Sequence, residues 1–443
     1  MMFDASIPQA RIAALSDNLK AACTRPLMGR VTAVNSAVVH ATYLGLGTGD
    51  ICAIRRTDGT HVRAEVIGVS GAQVLLCPFG PVNGISDGAV VTATTGKLTM
   101  PVGVALLGRV IDPFGNPVDE KGGFAATQRQ APIVAEPPSP MLRPLINSPM
   151  TTGLRVIDGP LTTGKGQRIG VFGPPGTGKS ILLAALARNS DVDVVVIGMV
   201  GERGREVREF LERDLPDTSR DNMVAVVSTS DRPAIERALC AHSATAVAET
   251  FRDQGKSVLL LIDSITRTAR ALREIGLAAG EAPTRRGFPA SVYPALPAII
   301  ERAGRNPQGD ITAFYTVLME GDDDSDPIAE EVKSLTDGHF VLSRKLAEKG
   351  HYPAIDPLKS ISRSMPAVAQ DDHLVLAQRA RDCLARYEEV ELLIQVGEYQ
   401  SGSDTLTDHA IQAKPRIDAF LRQTRDDFCN MATTLQALRE AVA

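Results

Sequence analysis

Five runs of apolar residues, RIGVF, DVVVIGMV, MVAVVS, SVLLLID and ITAFYTVLM, recur between Arg168 and Met319. The text between them is helical in pattern, as in SILLAALARN and AIERALCAHSATAVAETFRDQGK. Strands that are apolar on both faces must be covered on both faces, and helices alternating with them do this around a mostly parallel sheet. The middle of the chain is therefore predicted to be a layered α/β domain. At 443 residues the chain exceeds the roughly 250 at which a single hydrophobic core stops growing, so further domains should flank it.

From Gly29 to about Val91 the runs shorten to GRVTAVNSAVVHATYL, DICAIRR, VRAEVIGVSGAQVLLCPF and AVVTATT, separated by Gly and Asp turns. Strands at that spacing suggest a small barrel or sandwich. Ahead of them, Ile12, Leu15 and Leu19 fall at helical spacing, which predicts a short amphipathic helix over 8–24 packed on its own domain. Pro- and Gly-rich text, DPFGNPVDEKGG and AEPPSPMLRP, marks the crossing into the α/β region. Beyond Met365 the pattern is helical, through DDHLVLAQRARDCLARYEEVELL and IDAFLRQTRDDFCNMATTLQALREAV. The expected division is 1–92, a small β domain with its leading helix; 93–365, the α/β domain; and 366–443, a helical domain.

The chemistry begins at GPPGTGKS, Gly173 to Ser180, which fits G-x-x-x-x-G-K-[ST] between a strand and a helix, the context that a phosphate loop requires. The candidate nucleotide-binding stretch is Gly173, Pro174, Pro175, Gly176, Thr177, Gly178, Lys179, Ser180 and Ile181. Its glycines let backbone N–H groups and the positive end of the next helix face phosphate oxygens. Lys179 adds a charge at the β- and γ-phosphates, and the Ser180 hydroxyl is a ligand for Mg²⁺. Pro174 and Pro175 lack N–H groups, so phosphate must be met by donors later in the loop. A second element is expected to supply a carboxylate near the metal, reaching it through water, from a strand lying beside the phosphate-loop strand. Asp263, which ends SVLLLID, fits.

A third group must act on the attacking water. In VVVIGMVGERGREVREFLER an apolar strand runs into four arginines and four glutamates between 202 and 213. Glu202 stands at the carboxyl end of the strand, where α/β sheets bind ligands. The later charges read as a solvated helix face, with Val207, Phe210 and Leu211 turned inward.

These stretches, together with LLLIDSITRTARALREIGLAAGE, PTRRGFPASV, FYTVLMEGDDDSDPIAEE, DGHFVLSRKLAEKGHYPAID, SISR and LIQVGEYQSGSD, stand in the order seen in rotary-type ATPases. The chain resembles the catalytic subunits of F- and V-type ATPases, and among them the ATPases that energise type III protein secretion, over nearly its whole length. The resemblance implies a β-barrel, a RecA-like P-loop domain and a C-terminal helical domain. It implies ATP and Mg²⁺ as ligands and Glu202 as the catalytic carboxylate. Arg203 and Arg267 match arginines lining the nucleotide site, Tyr352 the aromatic that stacks on adenine, and Arg363 an arginine finger reaching the neighbouring subunit's nucleotide. Ile394 occupies a position where relatives place an aromatic against adenine, which implies a looser base pocket.

The resemblance further implies a cytoplasmic homohexamer, peripheral to the inner membrane at the base of the apparatus. Its partners would be a central stalk, a regulator or stator, chaperone–effector complexes and the export gate. TSDRPAIERA and RALREIGLAAGEAPTRRGFP resemble the injectisome branch more than the flagellar one, and the loop Gly276 to Pro289 would face the ring's opening. Two other classes compete. A catalytically silent nucleotide-binding subunit would lack Glu202. An RNA-translocating ring is disfavoured by the net charge of -5, so no nucleic acid partner is expected. Six scattered cysteines without paired spacing, no apolar run near the ~18 residues of a membrane span, and no apolar signal region fit a cytoplasmic setting.

Overall fold

The computed structural model describes residues 27–35, 37–94, 96–125, 129–215, 220–319 and 326–443. The helix expected over 8–24 lies outside them. The chain divides into two compact units, one ending at Leu98 and one beginning at Thr99.

In the first unit, strands Met28–Val34, Val39–Thr42, Gln73–Pro78, His61–Ser70, Ile51–Arg55 and Val90–Ala93 follow one another around a closed barrel. Alternation does the sorting. From Met28 to Val31 and from His61 to Val66 every second residue points inward, so Val31, Val62, Ala64 and Val66 meet Ile54 and Leu76 in one apolar core. Closure leaves no free edge to pair with other chains.

The second unit is built on a mostly parallel sheet. Its strand order is Ile355–Ser362, Gly338–Leu342, Arg168–Gly173, Asp310–Leu318, Ser257–Asp263, Val194–Glu202, Met223–Thr229 and Arg109–Ile111. Within this sheet, among the described residues, only Ile355–Ser362 and the short Gly304–Arg305 pair antiparallel. All nine residues of Val194–Glu202 are buried, as a strand covered on both faces must be. The order corrects one expectation. Ser257–Asp263 does not lie beside the phosphate-loop strand Arg168–Gly173, because Asp310–Leu318 pairs with both and separates them. The strands are parallel, so Gly173, Asp263 and Glu202 still emerge at the same edge.

Three helices, Asp371–Gln395, Thr405–Leu421 and Met431–Ala441, form the C-terminal part. The stretch from Ile417 onward, read as helical throughout, is interrupted between Leu421 and Met431. Tertiary bonds explain the break. The Gln423 backbone N–H donates to the Tyr352 carbonyl (2.8 Å), its side chain bonds to Gly153 and Asp427 carbonyls, and Asn430 caps the next helix by accepting from Thr433 N–H. Among the described residues no helix is long and apolar enough to cross a membrane.

Candidate active site

The strand Arg168–Gly173 delivers the phosphate loop, and the helix Lys179–Asn189 leaves from it. Gly176 and Gly178 adopt φ of 81° and 85°, the left-handed turns that bring successive N–H groups to one side. A side chain at Gly173 would sit 2.8 Å from Leu342 Cβ, so packing as well as conformation demands glycine there. The two prolines sit differently: Pro174 is buried and Pro175 exposed. The Pro174 carbonyl is a useful acceptor, taking hydrogen bonds from Thr177 Oγ1 (2.9 Å) and Lys179 Nζ (2.8 Å). Lys179 Nζ also donates to the Gly173 carbonyl at 2.8 Å. Burial pushes the Lys179 amine down to about 8, against the pull of Asp263 and Glu202. Ser180 and Ile181 lie exposed in the first turn of the helix.

Asp263 is buried at the end of its strand, and burial raises its carboxyl above the ordinary range. Its partner comes from the intervening strand, where Thr316 Oγ1 donates to Asp263 Oδ1 at 2.6 Å. Sequence spacing did not single out Thr316; only the strand order makes it a neighbour.

Glu202 is the last residue of Val194–Glu202, and the helix begins at Gly204, so Arg203 alone lies between them. The carboxylate is buried and ion-paired with Arg267, whose Nη2 is 3.0 Å from Oε1. Arg267 Nη1 donates as well to the Gly201 carbonyl. Burial, with the neighbouring Asp263 and Glu206 carboxyls, holds the Glu202 carboxyl well above the usual glutamate range in spite of Arg267. Arg203 turns away, its side chain 79% exposed and 3.3 Å from Glu206. Val207, Phe210 and Leu211 are buried, and Arg205 and Arg208 pair with Glu209 and Glu212 on the surface, as a solvated helix face requires.

Beside the loop lies a cavity of about 390 Å³, walled by Gly178, Ile181, Leu182, Tyr352, Pro353 and Phe428. The Tyr352 ring packs on the loop itself, its Cε1 3.1 Å from where a side chain at Gly178 would begin. Phe428, in the break between helices, is an aromatic that sequence reasoning missed. Arg188 stacks over it (5.8 Å) and donates to the Arg425 carbonyl at 2.9 Å. Ile394 does not line this cavity; it lies on the helix Asp371–Gln395. The signal for Phe428 was present in RDDFCN, whose Asp and Asn residues favour turns over helix.

Arg363 is exposed and lies apart from these groups. Ser362 pairs with Gly338, at the start of Gly338–Leu342, while Gly173 ends the parallel strand next to it. Register places Ser362 level with Ile169, roughly 13 Å below Gly173 along the strand and two strands away. Arg363 thus emerges from the amino edge of the sheet, opposite its own phosphate loop.

Among the described residues no group of three or more His, Cys, Asp or Glu side chains is placed to hold a metal alone. A hydroxyl and one buried carboxylate are what Mg²⁺ needs when substrate phosphates and water complete its octahedron, so Ser180 and Asp263 fit that ion.

A sheet that gathers its polar groups at the carboxyl ends of parallel strands, around a phosphate loop and next to a base-sized cavity, defines a P-loop nucleotide-binding core. Residues 153–362 match the nucleotide-binding domain of the ATP synthase alpha/beta family, 31–95 its beta-barrel domain, and 369–440 the T3SS EscN ATPase C-terminal domain. The chain is 48% identical to a type 3 secretion system ATPase of Sinorhizobium fredii over 96% of this chain and 94% of that one. It is 44% identical to a flagellum-specific ATP synthase of Bacillus subtilis, over 93% and 94%. The solved structure of the assembled ATPase EscN from enteropathogenic E. coli superposes with a TM-score of 0.89 at 43% identity, covering 94% of this chain and 100% of that one. EscN in complex with its central stalk EscO superposes at 0.86, with the same identity and coverage. The chain belongs to the type 3 secretion system ATPases, within the ATP synthase alpha/beta family, and is an ATPase.

Proposed function

We propose that the chain is the homohexameric, ATP-hydrolysing motor at the cytoplasmic face of a type III secretion apparatus. It releases export substrates from chaperones and energises their unfolding. The observation that carries the ring reading is the position of Arg363, exposed at the sheet edge opposite its own phosphate loop. A guanidinium so placed serves the phosphates of a second copy.

In this reading the loop N–H groups and Lys179 hold the β- and γ-phosphates, and the base lies between Tyr352 and Phe428. Mg²⁺, on the Ser180 hydroxyl and through water on Asp263, would offset charge on the β- and γ-oxygens. Glu202 takes a proton from the attacking water as its oxygen bonds to the γ-phosphorus and the bond to the ADP oxygen breaks, releasing ADP and phosphate. A carboxyl with a raised pKa is suited to that exchange near neutral pH. Arg267 steers the carboxylate; Arg203, turned to solvent beside Glu206, would have to swing in to meet the nucleotide. A neighbour's Arg363 stabilises charge on the transferred group, an effect of order 10³ to 10⁵ in rate.

EscN, solved with its central stalk, supports a stalk partner here, met by the loop Gly276 to Pro289 with Arg285 and Arg286. A regulator or stator and contact with the export gate at the inner membrane complete the proposed setting. The higher identity to the Sinorhizobium secretion ATPase than to the flagellar relative, 48% against 44%, favours the injectisome branch. Glu202 argues against a silent subunit.

The test mixes two inactive variants. Arg363→Ala retains a complete phosphate loop and Lys179→Ala retains a finger. Mixed rings should recover ATPase activity, because some interfaces join an intact loop to an intact finger. No recovery at any ratio, with mixed rings shown to form, would contradict a finger acting between copies.

A further inference from the structure

We propose that Gln167 is a positioning residue that ties the phosphate-loop strand of one site to the arginine that the same chain presents to the next. The inference rests on the role of Arg363 between copies proposed above. Gln167 immediately precedes the strand Arg168–Gly173, and its side chain is fully buried. Its Oε1 accepts from Gly164 N–H (2.9 Å) and from Ser364 Oγ. Its Nε2 donates to the Asp337 carbonyl at 2.9 Å and to Ser362 Oγ at 3.1 Å. Ser362 in turn donates to the Thr162 carbonyl at 2.7 Å.

Two of the residues bonded to Gln167, Ser362 and Ser364, are the two that flank Arg363. The carbonyl it shares is the one that fixes Arg363 itself, whose N–H donates to Asp337 O at 3.0 Å. Asp337 is locked from its other end, where its carboxylate receives Arg168 N–H (3.1 Å) and both arms of the Arg168 guanidinium (3.0 and 3.1 Å). There is no room to rearrange: a side chain at Gly338 would meet Gln167 Nε2 at 3.1 Å and the Ile361 carbonyl at 2.6 Å. A buried polar network with its members satisfied admits one arrangement. The backbone of Arg363 therefore moves with the root of the phosphate-loop strand, and its exposed side chain leaves from a fixed origin. A finger held this way needs no ordering at each turnover, and displacement of about 1 Å costs on the order of 10²-fold in rate.

The experiment uses Gln167→Ala in the full chain, with Ser364→Ala as a milder variant that removes one bond to Gln167 and leaves the amide in place. Each should bind a fluorescent ATP analogue normally and keep its KM for ATP. In Gln167→Ala rings kcat should fall by about 10²-fold, and in Ser364→Ala rings by less. Mixing either variant with Lys179→Ala should restore activity, because the variant's own intact loop then meets a well-held finger from its neighbour. The Arg363→Ala and Lys179→Ala mixture runs alongside. If that control recovers and the Gln167→Ala and Ser364→Ala mixtures do not, Gln167 serves its own site's fold and the proposal is overturned. If the control fails too, the finger reading falls and takes this inference with it.

Discussion

Arg267 holds the end of one strand and the carboxylate on it together: its guanidinium stands 3.0 Å from Glu202 Oε1 and also donates to the carbonyl of Gly201. Glu202 is thereby aimed across the sheet edge toward the same space that Asp263 and Lys179 face. With the water-facing group removed but its shape kept, Glu202→Gln should bind nucleotide as before and lose hydrolysis by a factor of ~10² to 10⁴. Arg267→Ala should reduce kcat in the same direction by freeing the carboxylate. Steady-state turnover with parallel binding titrations checks both.

The raised pKa of Glu202 makes a stability prediction with a definite sign. Burial favours the protonated form of this carboxyl more in the folded chain than in the unfolded one, so its favourable contribution is complete below the ordinary value of 4.5 and is lost as pH rises through the higher folded-state value. Glu202→Gln carries no such loss. The melting temperature of the nucleotide-free variant, relative to the parent chain, should therefore rise as pH increases above 4.5. A difference that stays flat or falls across that window contradicts the burial of an ionisable carboxyl at this position.

Lys179 titrates in the opposite sense. Its amine is pushed down to about 8, and phosphate favours the charged form, so nucleotide binding above that pH must draw in a proton. Calorimetry in buffers of differing ionisation enthalpy should show proton uptake above pH 8 and little below it. In Lys179→Arg the uptake should vanish, since a guanidinium stays charged throughout.

The base cavity yields a contrast between two positions. Phe428→Ala removes one of the two aromatic rings, with Tyr352, that line the cavity and should weaken ATP binding by roughly tenfold, the scale of one aromatic contact. Ile394→Ala, outside the cavity, should leave affinity unchanged. Equilibrium titration with a fluorescent nucleotide separates them.

Much of this architecture is legible along the chain because it is written in short-range patterns. Continuous apolar runs specify buried strands, and Gly173 to Ser180 specifies the loop between one such strand and its helix. Glu202 and Asp263 announce themselves as charges at the ends of apolar runs. What escapes is set by long-range pairing. The strand Asp310–Leu318 inserts between the phosphate-loop strand and Ser257–Asp263, which no periodicity encodes, and with it arrives Thr316 as the partner of Asp263. Phe428 was hidden in text that reads as helix, since helical spacing on both sides masks a break made by Gln423 and Asn430. Gln167 looks like any polar residue at a strand start; its meaning comes from Ser362 and Ser364, nearly two hundred residues later.

The central claim is that each hydrolytic site is shared by two copies, and turnover measured over a protein dilution series tests it most directly. Activity per chain should be close to nil where single chains dominate and should climb steeply as rings assemble, in step with the mass measured by light scattering. Constant activity per chain across the range in which assembly changes would contradict the account, because a site complete within one chain has no need of its neighbour's Arg363.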